Sequence, residues 1–186
     1  MTAPELEFPS AIACAPWPVP AVRSSLWLAW TATGSLTHAL WTQDADPAPS
    51  EIATDTPHGD VPEPIAQLLA LYFAGEPVDP ATLPVAPAGT PFQRKVWVAL
   101  RAIARGDVRS YAGIAADIRQ PRAMRAVGMA NGRNPIAVVV PCHRVVEKDF
   151  RIGGYSSGLE RKRYLLALEG VHVAGDLVRP HQLTLI

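Results

Sequence analysis

The 186-residue chain reads as an α/β N-terminal domain followed by a mainly α C-terminal domain carrying a helix-turn-helix. Charge, proline and helix-start signals predict this split. Residues 1–89 hold one basic residue, Arg23, against ten acids, whereas residues 90–186 hold sixteen basic residues against seven acids. The halves therefore carry −9 and +9, although the whole chain is neutral. Fourteen of the nineteen prolines precede residue 90, and the clear helix caps follow it. The boundary falls near residue 87, which gives an N-terminal domain with linker over 1–86 and a C-terminal domain over 87–186.

The N-terminal half alternates strand-like and loop-like pieces. Cys14 lies among Pro16, Pro18 and Pro20 and reads as an incidental thiol. Residues 26–33 and 36–42 read as two strands joined by a turn at Gly34 and Ser35. Residues 44–62, rich in Pro, Asp, Ser and Thr, read as a long loop. Ile65, Leu68, Leu69 and Tyr72 share one helical face, and Gly75 stops that helix. Prolines then mark 76–89 as an extended linker.

The C-terminal half opens with a capping box, Thr90-Pro91-Phe92-Gln93, with proline at the first helical position. Phe92, Val96, Leu100 and Ile103 form the buried face behind it. Ser110 caps a second helix over 111–118. A turn at Gln120 and Pro121 leads to a third over 122–131, which completes a helix-turn-helix candidate. This third helix carries Arg122 and Arg125, with Arg133 near its end. Its small residues Ala123, Ala126, Gly128 and Ala130 fit either close approach to a partner or tight core packing. Ser157-Gly158-Leu159-Glu160 reads as another capping box, opening a last helix that Gly170 ends. Residues 171–186 read as a loose tail.

Between these helices lies the apolar run Ile136-Ala137-Val138-Val139-Val140, which reads as a buried strand. Pro141 cannot donate to a ladder, so the strand should stop there. Cys142 is then presented at its end beside His143 and Arg144. Positive neighbours lower a thiol pKa from about 8.5, and the thiolate is the reactive form. A free cysteine can equally serve as a small buried hydrophobe.

Several classes are disfavoured. No apolar run approaches the roughly 20 residues of a membrane helix. Glu5 and Glu7 occupy the start of the chain, where a signal peptide would be basic. Two cysteines make no disulfide framework, and no Cys or His pair has zinc-like spacing. A cytoplasmic protein without metal is expected. The basic half suggests a polyanionic partner.

Taken in order, these segments resemble the O6-alkylguanine-DNA alkyltransferase family, in its bacterial form. The resemblance covers 90–170. It runs through Ser110-Tyr111, Arg125-Ala126-Val127-Gly128, Ala130-Asn131-Gly132 and Asn134-Pro135. It continues through Pro141-Cys142-His143-Arg144-Val145 and Gly154-Tyr155-Ser156. It closes with Leu159-Glu160-Arg161-Lys162 and Leu168-Glu169-Gly170. The first half is only loosely similar, apart from Tyr72-Phe73-Ala74-Gly75.

The resemblance implies a ribonuclease-H-like first domain and a winged-helix-like second. It implies single-use repair, in which the alkyl group of an O6-alkylguanine in DNA passes irreversibly to Cys142. O4-alkylthymine is a second expected substrate, and no cofactor is implied. His143 is implied to take the thiol proton through a water, and Glu169 to hold that histidine. Asn134 is implied to tie the turn before the strand into this network. Tyr111 is implied to donate a proton to the departing guanine. Tyr155 and Ser156 match the loop that closes the base pocket. Arg125 matches the arginine that replaces the extruded nucleotide, and Arg122 belongs to the same DNA-facing helix. Ala126 and Gly128 let that helix sit close to the minor groove, with little sequence preference. A monomer is expected, with cooperative loading on DNA as the alternative.

Two departures adjoin the pocket loop. The segment Glu147-Lys148-Asp149-Phe150-Arg151 lacks the family's glycine, and Ser157 stands where many members have a second one. Both leave alkyl-size preference open. The competing readings are a non-catalytic damage sensor of the alkyltransferase-like type, a Cys-His-Glu hydrolase and a helix-turn-helix regulator. The sensors replace the cysteine that this chain retains.

Overall fold

In the computed structural model, residues 10–179 are described. The strands β1 (Ala13–Val19), β2 (Ser24–Trp30) and β3 (Leu36–Gln43) form an antiparallel sheet in the order β1-β2-β3. Every residue of β2 is buried, as a central strand covered on both faces requires. The β2–β3 pair matches the expected hairpin, with Gly34 in the left-handed region at φ 76°. β1 was hidden from the sequence because prolines read as loop. It is an edge strand, where a missing N–H breaks no ladder, and Pro16 and Pro18 face Trp27 and Ser25. Cys14 is buried in it, and its Sγ–H points at the Thr56 carbonyl, 3.7 Å away.

The segment 44–62 has neither helix nor strand, and Ile52 pins it to Cys14, Trp27 and Ala29. Helix α1 (Glu63–Phe73) buries Ile65, Leu69 and Tyr72 and stops at Gly75, φ 89°. The linker includes a short 3-10 turn, Pro80–Thr82, capped by the Asp79 carboxylate.

Helix α2 (Pro91–Arg101) starts with both bonds of the expected capping box. Thr90 Oγ1 accepts from the Gln93 N–H at 3.2 Å, and Gln93 Oε1 accepts from the Thr90 N–H at 2.8 Å. The two-residue strand β4 (Arg109–Ser110) precedes α3 (Tyr111–Asp117), which Ser110 caps as expected. Helix α4 (Met124–Gly132) starts two residues later than its pattern suggested and packs on both α2 and α3.

Three expectations need correction. First, 136–140 is no strand. Ile136 bridges Ala39, then the chain coils through a buried turn in which Val138 has φ 70°. Val140 N–H bonds the Ile136 carbonyl at 2.8 Å. A fully buried turn and a fully buried strand give the same unbroken apolar run, so periodicity cannot separate them. Cys142–Arg144 is a 3-10 turn, followed by β5 (Val145–Val146), which pairs in parallel with β4. Second, Ser157 does not cap α5 (Leu159–Leu168). Gly158 holds that position at φ 95°, and the Ser157 carbonyl accepts instead from Arg161 Nη1 at 2.6 Å. Third, the residues after Gly170 are not loose. β6 (His172–Ala174) and β7 (Leu177–Arg179) make a hairpin, and Val171 and Val178 pack on Val146, Ile152 and Leu166. Residues 180–186 of the expected tail, and Glu5 and Glu7, lie outside the described residues.

A single apolar cluster draws on both halves, joining Leu26, Leu28 and Tyr72 to Val96, Ile114, Val145 and Leu165. Among the described residues no helix is long and apolar enough to cross a membrane.

Candidate active site

The buried turn delivers Cys142 to the wall of a cavity of about 480 Å³. The thiol is 4% exposed, and Asn134, Tyr155 and Ser156 line the same space. Asn134 organises the approach. Its Oδ1 accepts from the Ile136 N–H at 3.0 Å. Its Nδ2 donates to the Val140 carbonyl at 2.7 Å and to Cys142 Sγ at 3.1 Å. One side chain thus fixes the turn and aims a proton at the sulfur. Burial pushes the Cys142 thiol up; the hydrogen bond from Asn134, the neighbouring Tyr155 hydroxyl and the charge of Lys162 oppose that push.

His143 follows Cys142 in the 3-10 turn and points away from the cavity into the core. Its Nε2 lies 3.0 Å from Glu169 Oε1, and neither side chain is exposed. Glu169 also accepts from the Tyr72 hydroxyl at 2.8 Å and from Arg144 Nε and Nη2 at 2.9 and 2.8 Å. Burial alone would raise its carboxyl, but the His143 and Arg144 charges and hydrogen bonds outweigh that and hold it well below the usual range. An ionised carboxylate only accepts, so Nε2 carries a proton, and in the neutral ring the lone pair is then on Nδ1. That Nδ1 is buried without a hydrogen-bond partner among the described residues. Cys142 and His143 diverge because they occupy successive positions of a 3-10 turn.

Arg144 reaches further. Its guanidinium donates to Asp79 Oδ1 and Oδ2 at 2.8 and 3.1 Å and to the Ile103 carbonyl at 2.6 Å. Lys162 on α5 is wholly buried and donates to the carbonyls of Val145, Ile152 and Gly154. Its ammonium thereby ties down both ends of the segment between Cys142 and Tyr155. Burial lowers it to about 8, against an opposing pull from Cys142.

A second cavity, about 510 Å³, is lined by Tyr111, Arg125 and Gly128 together with Glu147, Lys148, Asp149 and Arg151. Tyr111 is half-buried at the head of α3, and its phenol is raised by burial and then by the nearby Cys142 and Glu147. A Cβ on Gly128 would sit 3.9 Å from the Tyr111 ring, an ordinary contact. Ala126 and Arg125 are exposed on α4, and Arg122 is exposed in the turn before it.

Thus Cys142, Asn134, Tyr155 and Ser156 share one cavity, while Tyr111, Arg125 and Gly128 share the other. His143 and Glu169 lie behind the sulfur. Sequence reading missed Tyr72, Asp79, Arg144 and Lys162. Arg144 did carry a signal, because an arginine inside an apolar run must find partners.

Comparison with known proteins places this geometry in context. Residues 91–171 match the family model described as 6-O-methylguanine DNA methyltransferase, DNA binding domain. The chain is 51% identical over 109 residues to the methylated-DNA–protein-cysteine methyltransferase of Salmonella typhimurium, covering 59% of this chain and 64% of that protein. This alignment thus spans less than two thirds of the Salmonella protein. The Mycobacterium leprae protein of the same name is 45% identical over 144 residues, covering 77% of this chain and 86% of that one. The crystal structure of Mycobacterium tuberculosis OGT in complex with DNA superposes with a TM-score of 0.70 at 38% identity, covering 85% of this chain and 92% of that chain.

Proposed function

Because the chain belongs to the methylated-DNA–protein-cysteine methyltransferase family, we propose that it repairs alkylated DNA directly and once, taking the alkyl group onto Cys142. The observation that carries this reading is the Cys142 sulfur on a cavity wall, 3.1 Å from the Asn134 amide, with a buried His143–Glu169 pair behind it. The substrate is O6-alkylguanine, with O4-alkylthymine as a second.

In this mechanism His143 Nδ1 takes the thiol proton through one water. Glu169 fixes the tautomer and favours the imidazolium that results, as in other nucleophile–base–orienter sets. The thiolate attacks the alkyl carbon; the S–C bond forms as the C–O6 bond breaks. Guanine leaves with its carbonyl restored, and Tyr111 supplies a proton to its ring. The thioether does not hydrolyse, so each molecule acts once.

The base must leave the helix to reach Sγ, at a cost of a few kcal/mol. Arg125 is proposed to fill the space left behind. Arg122 contacts phosphate, and Ala126 and Gly128 let α4 lie against the minor groove. Tyr155 and Ser156 close over the flipped base. The same reading makes 1–86 a ribonuclease-H-like domain and 87–186 a winged-helix-like one, in a cytoplasmic monomer.

The test is incubation with a duplex holding one O6-methylguanine, followed by peptide mass spectrometry. One added methylene on the Cys142 peptide, at no more than one per protein, is expected. The Cys142→Ala variant should bind the duplex and transfer nothing. Binding without transfer by the unaltered protein would replace this reading with a damage sensor.

A further inference from the structure

Two polar side-chain atoms border the Cys142 cavity while buried without a well-formed hydrogen bond among the described residues: Trp41 Nε1 and the Tyr155 hydroxyl. Trp41 lies on β3, in the half to which the sequence assigned no chemistry. Its ring is held in place. The Arg161 guanidinium covers it at 5.6 Å, and Phe73 meets it edge-on at 6.4 Å. Arg161 is itself anchored to Ser24 Oγ and to the carbonyls of Thr42 and Ser157.

The Tyr155 hydroxyl borders the same cavity as the Trp41 indole and the Cys142 sulfur, and both groups act on its proton. Neither polar atom makes an aligned hydrogen bond among the described residues, and catalytic hydrogen bonds of this kind form or tighten when charge develops. Chemistry fixes their direction. An indole N–H only donates, whereas a phenol both donates and accepts. A thiolate has no proton to give. Trp41 must therefore donate to the Tyr155 oxygen, which leaves the Tyr155 proton for Sγ.

We propose that Trp41 is a positioning residue for the nucleophile: its N–H commits the Tyr155 hydroxyl to the Cys142 thiolate. The N-terminal half then sets the readiness of a sulfur that belongs to the other half. This rests on reading Cys142 as the nucleophile. Other groups also act on the pair. Asn134 and Lys162 act on Cys142, Tyr111 faces it from α3, and Arg161 and Tyr72 act on Tyr155. All of these remain in the variants below.

The test follows iodoacetamide alkylation of Cys142 against pH by peptide mass spectrometry in the full-length protein, alongside single-turnover methyl transfer. Trp41→Phe should raise the pH midpoint by about 0.5–1 unit and slow transfer at pH 7 by about three- to tenfold. Tyr155→Phe should shift the midpoint at least as far, and the double variant no further than Tyr155→Phe alone. Trp41→His, which keeps a ring N–H, should recover part of the shift. A Trp41→Phe midpoint equal to that of the unaltered protein overturns the proposal, as does a shift that adds to that of Tyr155→Phe. Should Trp41→Phe not fold, an unchanged midpoint in Tyr155→Phe overturns it instead. If the unaltered protein transfers no methyl yet the midpoints shift, the repair reading fails and the relay stands.

Discussion

Arg144 grips Glu169 edge-on, Nε to Oε2 at 2.9 Å and Nη2 to Oε1 at 2.8 Å, with no part of either side chain in solvent. The same guanidinium binds Asp79, 65 residues earlier in the chain. The pairing behind the histidine is thus a clamp between the two halves as well as a holder for one imidazole.

Removing that guanidinium leaves two carboxylates without their partner. Arg144→Met should cost about 3–5 kcal/mol of stability, read by urea unfolding. Arg144→Lys should recover only a part, since an ammonium cannot make the bidentate fork.

Glu169→Gln removes the charge that steadies the imidazolium. Methyl transfer should slow by about 10²–10³-fold, measured in a single turnover. The variant should also change acid stability. The folded carboxyl titrates well below its unfolded value, so its contribution is complete above about pH 4.3 and is lost as pH falls towards the folded value. Glu169→Gln should therefore flatten the acid side of the stability–pH curve; an unchanged slope below pH 4.3 would contradict the assigned ionisation.

Lys162→Met strands three backbone carbonyls around the pocket segment. A loss of about 2–4 kcal/mol is expected by denaturant titration. The alkaline side supplies a second readout. Burial lowers the folded ammonium to about 8, so above that pH the unfolded chain holds its proton more tightly. Stability from this group then rises between about pH 8 and 10.4, and the Met variant should lose that rise.

Asp149 and Phe150 both adopt left-handed backbone, at φ 67° and 60°. Glycine adopts such backbone without strain, and this is the segment in which the family resemblance leads one to expect a glycine. A phenylalanine in this region is strained by about 1–3 kcal/mol. Phe150→Gly should stabilise the fold by about 1 kcal/mol, after the glycine's greater unfolded entropy, and raise Tm by a few degrees. A fall in Tm on calorimetry would show that the Phe150 side chain compensates for its backbone.

Local rules made the helices legible. Thr90 and Gln93 announced α2, Ser110 announced α3, and Gly75 and Gly170 marked helix ends. Cys142 was legible because proline, histidine and arginine flank it. Its surroundings were not. Tyr72 and Glu169 are 97 residues apart, and no periodic pattern reports a contact at that range. The run from Ile136 to Val140 misled because uniform burial erases the alternation that distinguishes a strand. Ser157 misled because a capping box describes composition, while Gly158 had the backbone freedom the helix start needed.

The prolines of β1 have an effect beyond tolerance. The Cys14 N–H points outward, away from β2, to the Pro57 carbonyl at 2.9 Å. By the two-residue repeat of a strand, the nitrogens of Pro16 and Pro18 face the same way. The donors a foreign strand would need to zip onto this flank are therefore missing at two successive sites. The sheet is terminated chemically on that side, which guards this flank against strand-by-strand growth with other chains.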